Sequence, residues 1–323
     1  MTTNRLEYID LARAIAVISV IAYHFPCIDQ LWGLHTFINT YFLTLFFFLS
    51  GWLMHLSVKK QWILKKVMRL LVPLVSFSLI FIPTIAFIKG SSVLDIFNAM
   101  MHEDSKGGYW FVYTLFSAMI LIWSGHYIYR KLQLPKWAYA LILVIPWLIA
   151  CGLSILLPNE ISQLLSISSF RRYYLFILLG MTMQNDTIRT YSMRNDCYVV
   201  FCILYIIFIV LSLVKFPCVN SNLSFGVWTL TNIFGCLSIV ESCRRICNRM
   251  SMPQWIIGLS HDSLGIYLCQ FIILRATQQF VLQIPVSPYI SFVPYTLALL
   301  IITFTITRMM GKYAITSKLF LGQ

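Results

Sequence analysis

Residues 5–25 read RLEYIDLARAIAVISVIAYHF, an apolar stretch that carries Asp10, Arg13 and His24. An ionisable side chain at the centre of a membrane helix costs about 3 kcal/mol, so such groups are kept for function or for internal pairing. Asp10 and Arg13 are three positions apart, close enough to pair on a helix. Arg13 and His24 are eleven positions apart, roughly three helical turns, so all three groups share about one face. The rise from Arg13 to His24 is then about 16 Å at 1.5 Å per residue. One helix therefore carries a polar stripe that starts near one membrane surface and reaches deep towards the other.

The rest of the chain fits a bilayer. Of 323 residues 59% are hydrophobic and 11% charged, with a mean hydropathy of +0.79. Apolar runs of about 20 residues, broken by short charged or Pro/Gly-containing segments, are transmembrane helices. They do not alternate as the strands of a membrane barrel would. We read an all-α, polytopic helical membrane protein with ten spans near 8–27, 36–56, 70–89, 109–129, 137–157, 170–184, 197–215, 226–243, 256–278 and 290–310. The first is expected to be a retained span, since it holds Asp10 and Arg13 and has no small-residue cleavage site. Residues 1–323 are expected to form a single membrane domain.

Lys and Arg orient it. The net charge of +13 would suggest a nucleic-acid partner for a soluble protein; here the positive-inside rule accounts for it, and none is expected. With the N-terminus inside, 17 of 24 basic residues fall in cytoplasmic segments, six fall outside, and Arg13 lies within the membrane. Both termini are expected in the cytoplasm. The nine cysteines form no CxxC pair and no metal spacing with histidine, so no metal site is expected. Cys27 and Cys218 both fall at the outer surface, where a disulfide is one option.

Three further stretches carry weight. In YFLTLFFFLSGWLMHL, Ser50 and Gly51 interrupt an aromatic run; they serve either close helix packing or the passage of a substrate chain. In KKQWILKKVMRLLVP, the basic cluster with Lys66 and Arg69 is a topology and headgroup signal, or a patch for the phosphates of a nucleotide-like donor. GGYWFVYTLF places Trp110 and Tyr113 at an interface, the usual position of an aromatic belt. His261 and Asp262 are expected to point apart on a continuous ninth helix, and Glu241 is expected to be an exposed carboxylate near a helix end. His35, His55, His102 and His126 carry no expectation of catalysis, nor does His261.

In this order the pieces resemble the acyltransferase-3 family of integral-membrane O-acyltransferases. IDLARAIAVISVIAYH, with Asp10, Arg13 and His24, is similar to its opening motif. FFFLSGW (46–52) resembles its second span, and Lys66 with Arg69 before Pro73 its third. Trp110 and Tyr113 fit the start of its fourth span, and SLGIYLCQ its terminal pattern, with Gln270 where histidine is common.

The resemblance implies transfer of an acyl group, usually acetyl, from acetyl-CoA as co-substrate to a hydroxyl of a cell-surface carbohydrate or lipid-linked glycan. It implies a multi-pass protein of the bacterial inner membrane. His24 would be the catalytic imidazole, activating the alcohol or carrying the acyl group. Arg13 would hold Asp10 or anchor donor phosphates, Lys66 and Arg69 would bind the donor, and Ser50, Gly51, Trp110 and Tyr113 would line the substrate path. A transporter of a lipid-linked sugar would use the same charged stripe, together with Asp262, as a proton or substrate path.

Overall fold

A computed structural model describes residues 6–213, 221–283 and 285–322. Cys218 lies outside them, and so does the question of a disulfide with Cys27. In chain order the helices are α1 (Glu7–Tyr23), α2 (Trp32–Asn39), α3 (Phe42–Trp52), α4 (Gln61–Lys66), α5 (Val72–Lys89), α6 (Val93–His102), α7 (Trp110–Lys131), α8 (Lys136–Leu156) and α9 (Asn159–Leu164). They continue with α10 (Ile167–Thr182), α11 (Asp186–Ser192), α12 (Asn195–Leu213), α13 (Ser221–Cys247), α14 (Gln254–His261), α15 (Ser263–Gln283), α16 (Pro288–Gly311) and α17 (Ala314–Thr316). No strand occurs among the described residues.

The protein is an all-α, polytopic membrane protein. Eight helical stretches among the described residues are long and apolar enough to cross a bilayer. The expected first and sixth spans appear as the shorter α1 and α10, of 17 and 16 residues. The expected third span begins earlier, since α4 and α5 join through a π-helical turn at Val67–Leu71 into one run, Gln61–Lys89. Such a turn carries a surplus residue, and π-turns recur at functional sites.

Two compact units divide the chain. The first comprises residues 1–53, 179–267 and 280–304. At its centre α1 packs against α3, α13 and α14. Small and β-branched residues allow this: Ala12, Ala16, Val17, Val20 and Ile21 are fully buried. Pro26, which cannot donate a backbone hydrogen bond, follows shortly after the helix ends at His24. Polar pairs lock the surrounding helices, as expected where lipid supplies no hydrophobic drive between them. Ser19 Oγ meets the Tyr41 hydroxyl at 2.9 Å, Thr40 Oγ1 meets the Tyr205 hydroxyl at 2.6 Å, and Thr44 donates to Asn232 Oδ1 at 2.7 Å.

The second unit comprises residues 54–178, 268–279 and 305–323. Here α5 buries Phe77, Phe81, Ile82 and Ile85, and Phe77 meets Phe320 of the C-terminal π-turn edge-on at 5.2 Å. Gly90, in the left-handed region at φ 63°, ends α5.

Two expectations are corrected. The ninth span is not continuous from 256: α14 ends at His261 and α15 starts at Ser263, with Asp262 in the turn between. Glu241 is not exposed but 3% accessible, because α13 runs on as far as Cys247 and turns Arg244 and Arg245 back onto it. Arg244 reaches Glu241 at 2.6 Å and Arg245 at 3.0 Å.

Candidate active site

Within the first unit, α1 is unbroken from Glu7 to Tyr23 and His24 is its C-cap. Asp10, Arg13 and His24 therefore keep the shared face that their spacing predicts. Asp10 is buried, while Arg13 and His24 are half-buried. The basal end of the stripe is fixed by α14: Ser260 Oγ donates to Asp10 Oδ1 at 2.6 Å. The Met252 backbone N–H reaches Glu7 Oε2 at 3.4 Å, a second tie to the same segment. A hydrogen bond to a charged acceptor contributes about 1.5–3 kcal/mol, so Ser260 orients Asp10 and secures this end of α1.

At the other end, His24 Nδ1 lies 2.7 Å from the Val20 carbonyl oxygen. A carbonyl only accepts, so in the neutral ring Nδ1 carries the hydrogen and the lone pair resides on Nε2, an assignment made from the hydrogen bond. The backbone of α1 thus sets the tautomer that a general base or acyl carrier needs. Aromatic rings surround the position: Tyr23 meets the His24 ring edge-on at 5.6 Å, stacks on Phe42 at 4.4 Å and approaches His35 at 4.8 Å.

Ser50 and Gly51 lie in the last turn of α3, in the same unit; Gln184 Nε2 donates to the Gly51 carbonyl at 2.9 Å. A close backbone approach to α3 comes from Gly180 of α10. A Cβ on Gly180 would strike the Phe48 carbonyl oxygen and come within 2.9 Å of the Trp52 nitrogen. α3 therefore requires a small residue at this position of its neighbour.

Lys66, Arg69, Trp110 and Tyr113 belong to the second unit. Arg69 is exposed within the π-turn, and Lys66 Nζ lies over the Trp62 ring at 5.2 Å. Trp110 packs against Tyr173 with ring centres 5.1 Å apart. The structure thus groups Asp10, Arg13, His24, Ser50 and Gly51 in one unit and these four residues in the other.

Two arrangements escaped the sequence. His261 Nδ1 and Asp262 Oδ1 are 2.7 Å apart, a dyad that adjacent residues on one helix could not form. The break between α14 and α15 turns the two side chains together, burying Asp262 to 5% while His261 stays 54% accessible. The signal was available: Ser260, Asp262 and Ser263 are helix-start residues clustered in mid-span. In the second unit, Gln270 is fully buried, and neither its Nε2 nor its Oε1 has a hydrogen-bond partner among the described residues.

Eight helical stretches among the described residues long and apolar enough to cross a bilayer, with charged groups and a histidine along α1, define a polytopic helical membrane protein. The particular family follows from comparison: the family model described as an acyltransferase domain, acyltransferase-3, matches residues 6–308, and the chain belongs to that family. It is accordingly a membrane acyltransferase. No curated protein and no solved structure matches it.

Proposed function

We propose that this membrane acyltransferase moves an acetyl group from acetyl-CoA to a hydroxyl of a cell-surface carbohydrate or lipid-linked glycan, at the bacterial inner membrane. The observation that carries the reading is the Nδ1–Val20 hydrogen bond of His24, which leaves Nε2 as the basic nitrogen. The acceptor oxygen attacks the thioester carbonyl carbon while Nε2 takes its proton. The carbon–sulfur bond then breaks, and the imidazolium returns that proton to the CoA thiolate, giving ester and free CoA. Arg13, which stays protonated even when desolvated, anchors the donor's phosphates or holds Asp10, whose carboxylate Ser260 orients. Lys66 and Arg69 bind its phosphates from the cytoplasmic side, where the bias of basic residues puts both termini. Ser50, Gly51, Trp110 and Tyr113 line the path of the substrates. The family match spans both units, which supports their acting as one domain.

The test is direct. Purified protein is incubated with labelled acetyl-CoA and candidate glycans, comparing wild type with His24→Ala. Label appearing on glycan with wild type, and lost in the variant, is the expected result. Translocation of a lipid-linked sugar without acylation would sink the assignment.

A further inference from the structure

A cleft of about 630 Å³ lies within the second unit, between the stretch of α5 from Leu74 to Pro83 and the stretch of α6 from Val93 to Met101. Its walls are almost wholly apolar, and Leu79, Leu94 and Phe97 among them are exposed. Leu79 belongs to the apolar run Gln61–Lys89, which is long enough to cross a bilayer, so the α5 wall of the cleft is suited to contact with acyl chains. It runs beside nine residues' rise of α5, about 14 Å at 1.5 Å per residue. That volume falls in the range of sites that enclose one small ligand. It suits a single apolar chain.

One end of this apolar cleft is marked by a charge. Lys106, with Tyr109 and Tyr113, completes the lining. Its side chain is buried, yet its ammonium meets only neutral partners: the carbonyls of Met101 and Gln163, each at 3.0 Å, and the Tyr113 ring at 5.8 Å. Among the described residues no carboxylate stands within ion-pair distance of it. Burial pulls the ammonium's pKa below its ordinary value, with the nearby Asp104 opposing. A buried cation with no carboxylate in contact is costly, and an anion delivered by a ligand would relieve it.

The backbone holds this charge in place. Lys106, Gly107 and Gly108 adopt φ values of 43°, 64° and 102°, all in the left-handed region. A Cβ at Gly107 would lie 2.8 Å from the Phe81 ring, and one at Gly108 would overlap Phe271. The turn is therefore wedged between two aromatic rings and preformed. Loop 90–108, which contains Lys106, lies on the side that the charge asymmetry assigns to the outside.

We propose that this cleft binds the phosphate and the leading stretch of chain of a polyprenyl phosphate, the lipid carrier that presents an acceptor sugar at the membrane. The apolar walls take the chain, and Lys106 takes the phosphate. The assignment rests on the acetyl-transfer reading above for the acceptor's identity, but the binding it describes can be measured without turnover.

Full-length protein in nanodiscs of zwitterionic lipid is titrated with geranylgeranyl phosphate, with geranylgeraniol and with oleoyl lysophosphatidate. Wild type is expected to bind the prenyl phosphate at least tenfold more tightly than the alcohol, and more tightly than the lysolipid. Lys106→Met and Leu79→Trp should each weaken it at least tenfold, while Lys106→Arg, which keeps the charge and controls for folding, stays within threefold. Equal binding of alcohol and phosphate, preference for the lysolipid, or unchanged binding by a folded Lys106→Met protein would overturn the proposal. Phosphate-selective binding without any acetyl transfer would leave the site standing and remove the transferase reading; transfer without such binding would do the reverse.

Discussion

Replacing Gln270 by methionine should make the protein more stable and less active. The side chain is fully buried, and among the described residues both polar atoms of its amide lack partners. An unsatisfied buried donor or acceptor costs about 1–3 kcal/mol. Gln270 presents one of each kind. Methionine keeps the length and nearly the volume of glutamine, so little cavity or overpacking cost offsets the gain. Removing the amide should therefore stabilise the ligand-free protein by about 2 kcal/mol, read as a higher SDS fraction at half-unfolding in mixed micelles. If the amide is retained to meet a polar group of the substrate, kcat/KM for acetyl transfer should fall about tenfold, the equivalent of one hydrogen bond at about 1.4 kcal/mol. Gains in stability at the expense of activity mark residues kept for function. A Gln270→Met protein that unfolds at or below the wild-type SDS fraction would refute the reasoning, since the amide would then have been satisfied.

His24→Ala should lower transfer by about 10²–10⁴-fold, the contribution typical of a positioned general base, with the circular dichroism spectrum unchanged. Acetyl-CoA should protect wild type from heat and fail to protect the Lys66→Ala/Arg69→Ala double variant; equal protection would remove these residues from the donor site. Ser260→Ala should destabilise by about 1.5–3 kcal/mol through loss of its bond to the buried Asp10 carboxylate, measured by the same SDS titration. Gly180→Ala should cost about 3 kcal/mol or prevent accumulation, because the added methyl meets backbone and not a yielding side chain; normal expression and stability would count against the packing described. Lys106 titrates below its ordinary value when folded, so the unfolded chain binds the extra proton between that depressed pKa and about 10.5, and stability should rise with pH across this window. Lys106→Met should lack that rise when unfolding is followed as the pH is raised towards 10.5.

What was legible in the sequence was whatever depends on unbroken helical period. Asp10, Arg13 and His24 could be placed on one face because α1 has no internal break, and a register argument needs nothing else. The dyad of His261 and Asp262 was hidden for the opposite reason. Apolar residues flank the turn on both sides, IIGL before it and GIYLC after it, so hydropathy reads straight across a break that only the helix-start residues betray. Glu241 was misread because proximity to a helix end was equated with exposure, whereas the two arginines that follow fold back over it. The requirement for a small residue beside α3 could not be assigned within one segment, since the clash at Gly180 depends on which backbone faces it. Charge on Lys106 was visible, but its burial against carbonyls depends on the strained turn that carries it.

The π-turn at Val67–Leu71 also constrains how this chain can change in length. Deleting one residue there would let the segment relax into an ordinary α-helix and rotate everything downstream by about 100° relative to α4. Phe77, Phe81 and Ile85 would swing off the core while Lys66 stayed behind, so the buried face of α5 and the end of α4 would lose their register. In an otherwise permissive apolar helix, where one aliphatic residue readily replaces another, this short stretch should tolerate substitution far better than a single-residue deletion. The residue count between Lys66 and Pro73 is then a tighter constraint than the identity of the residues that make it up.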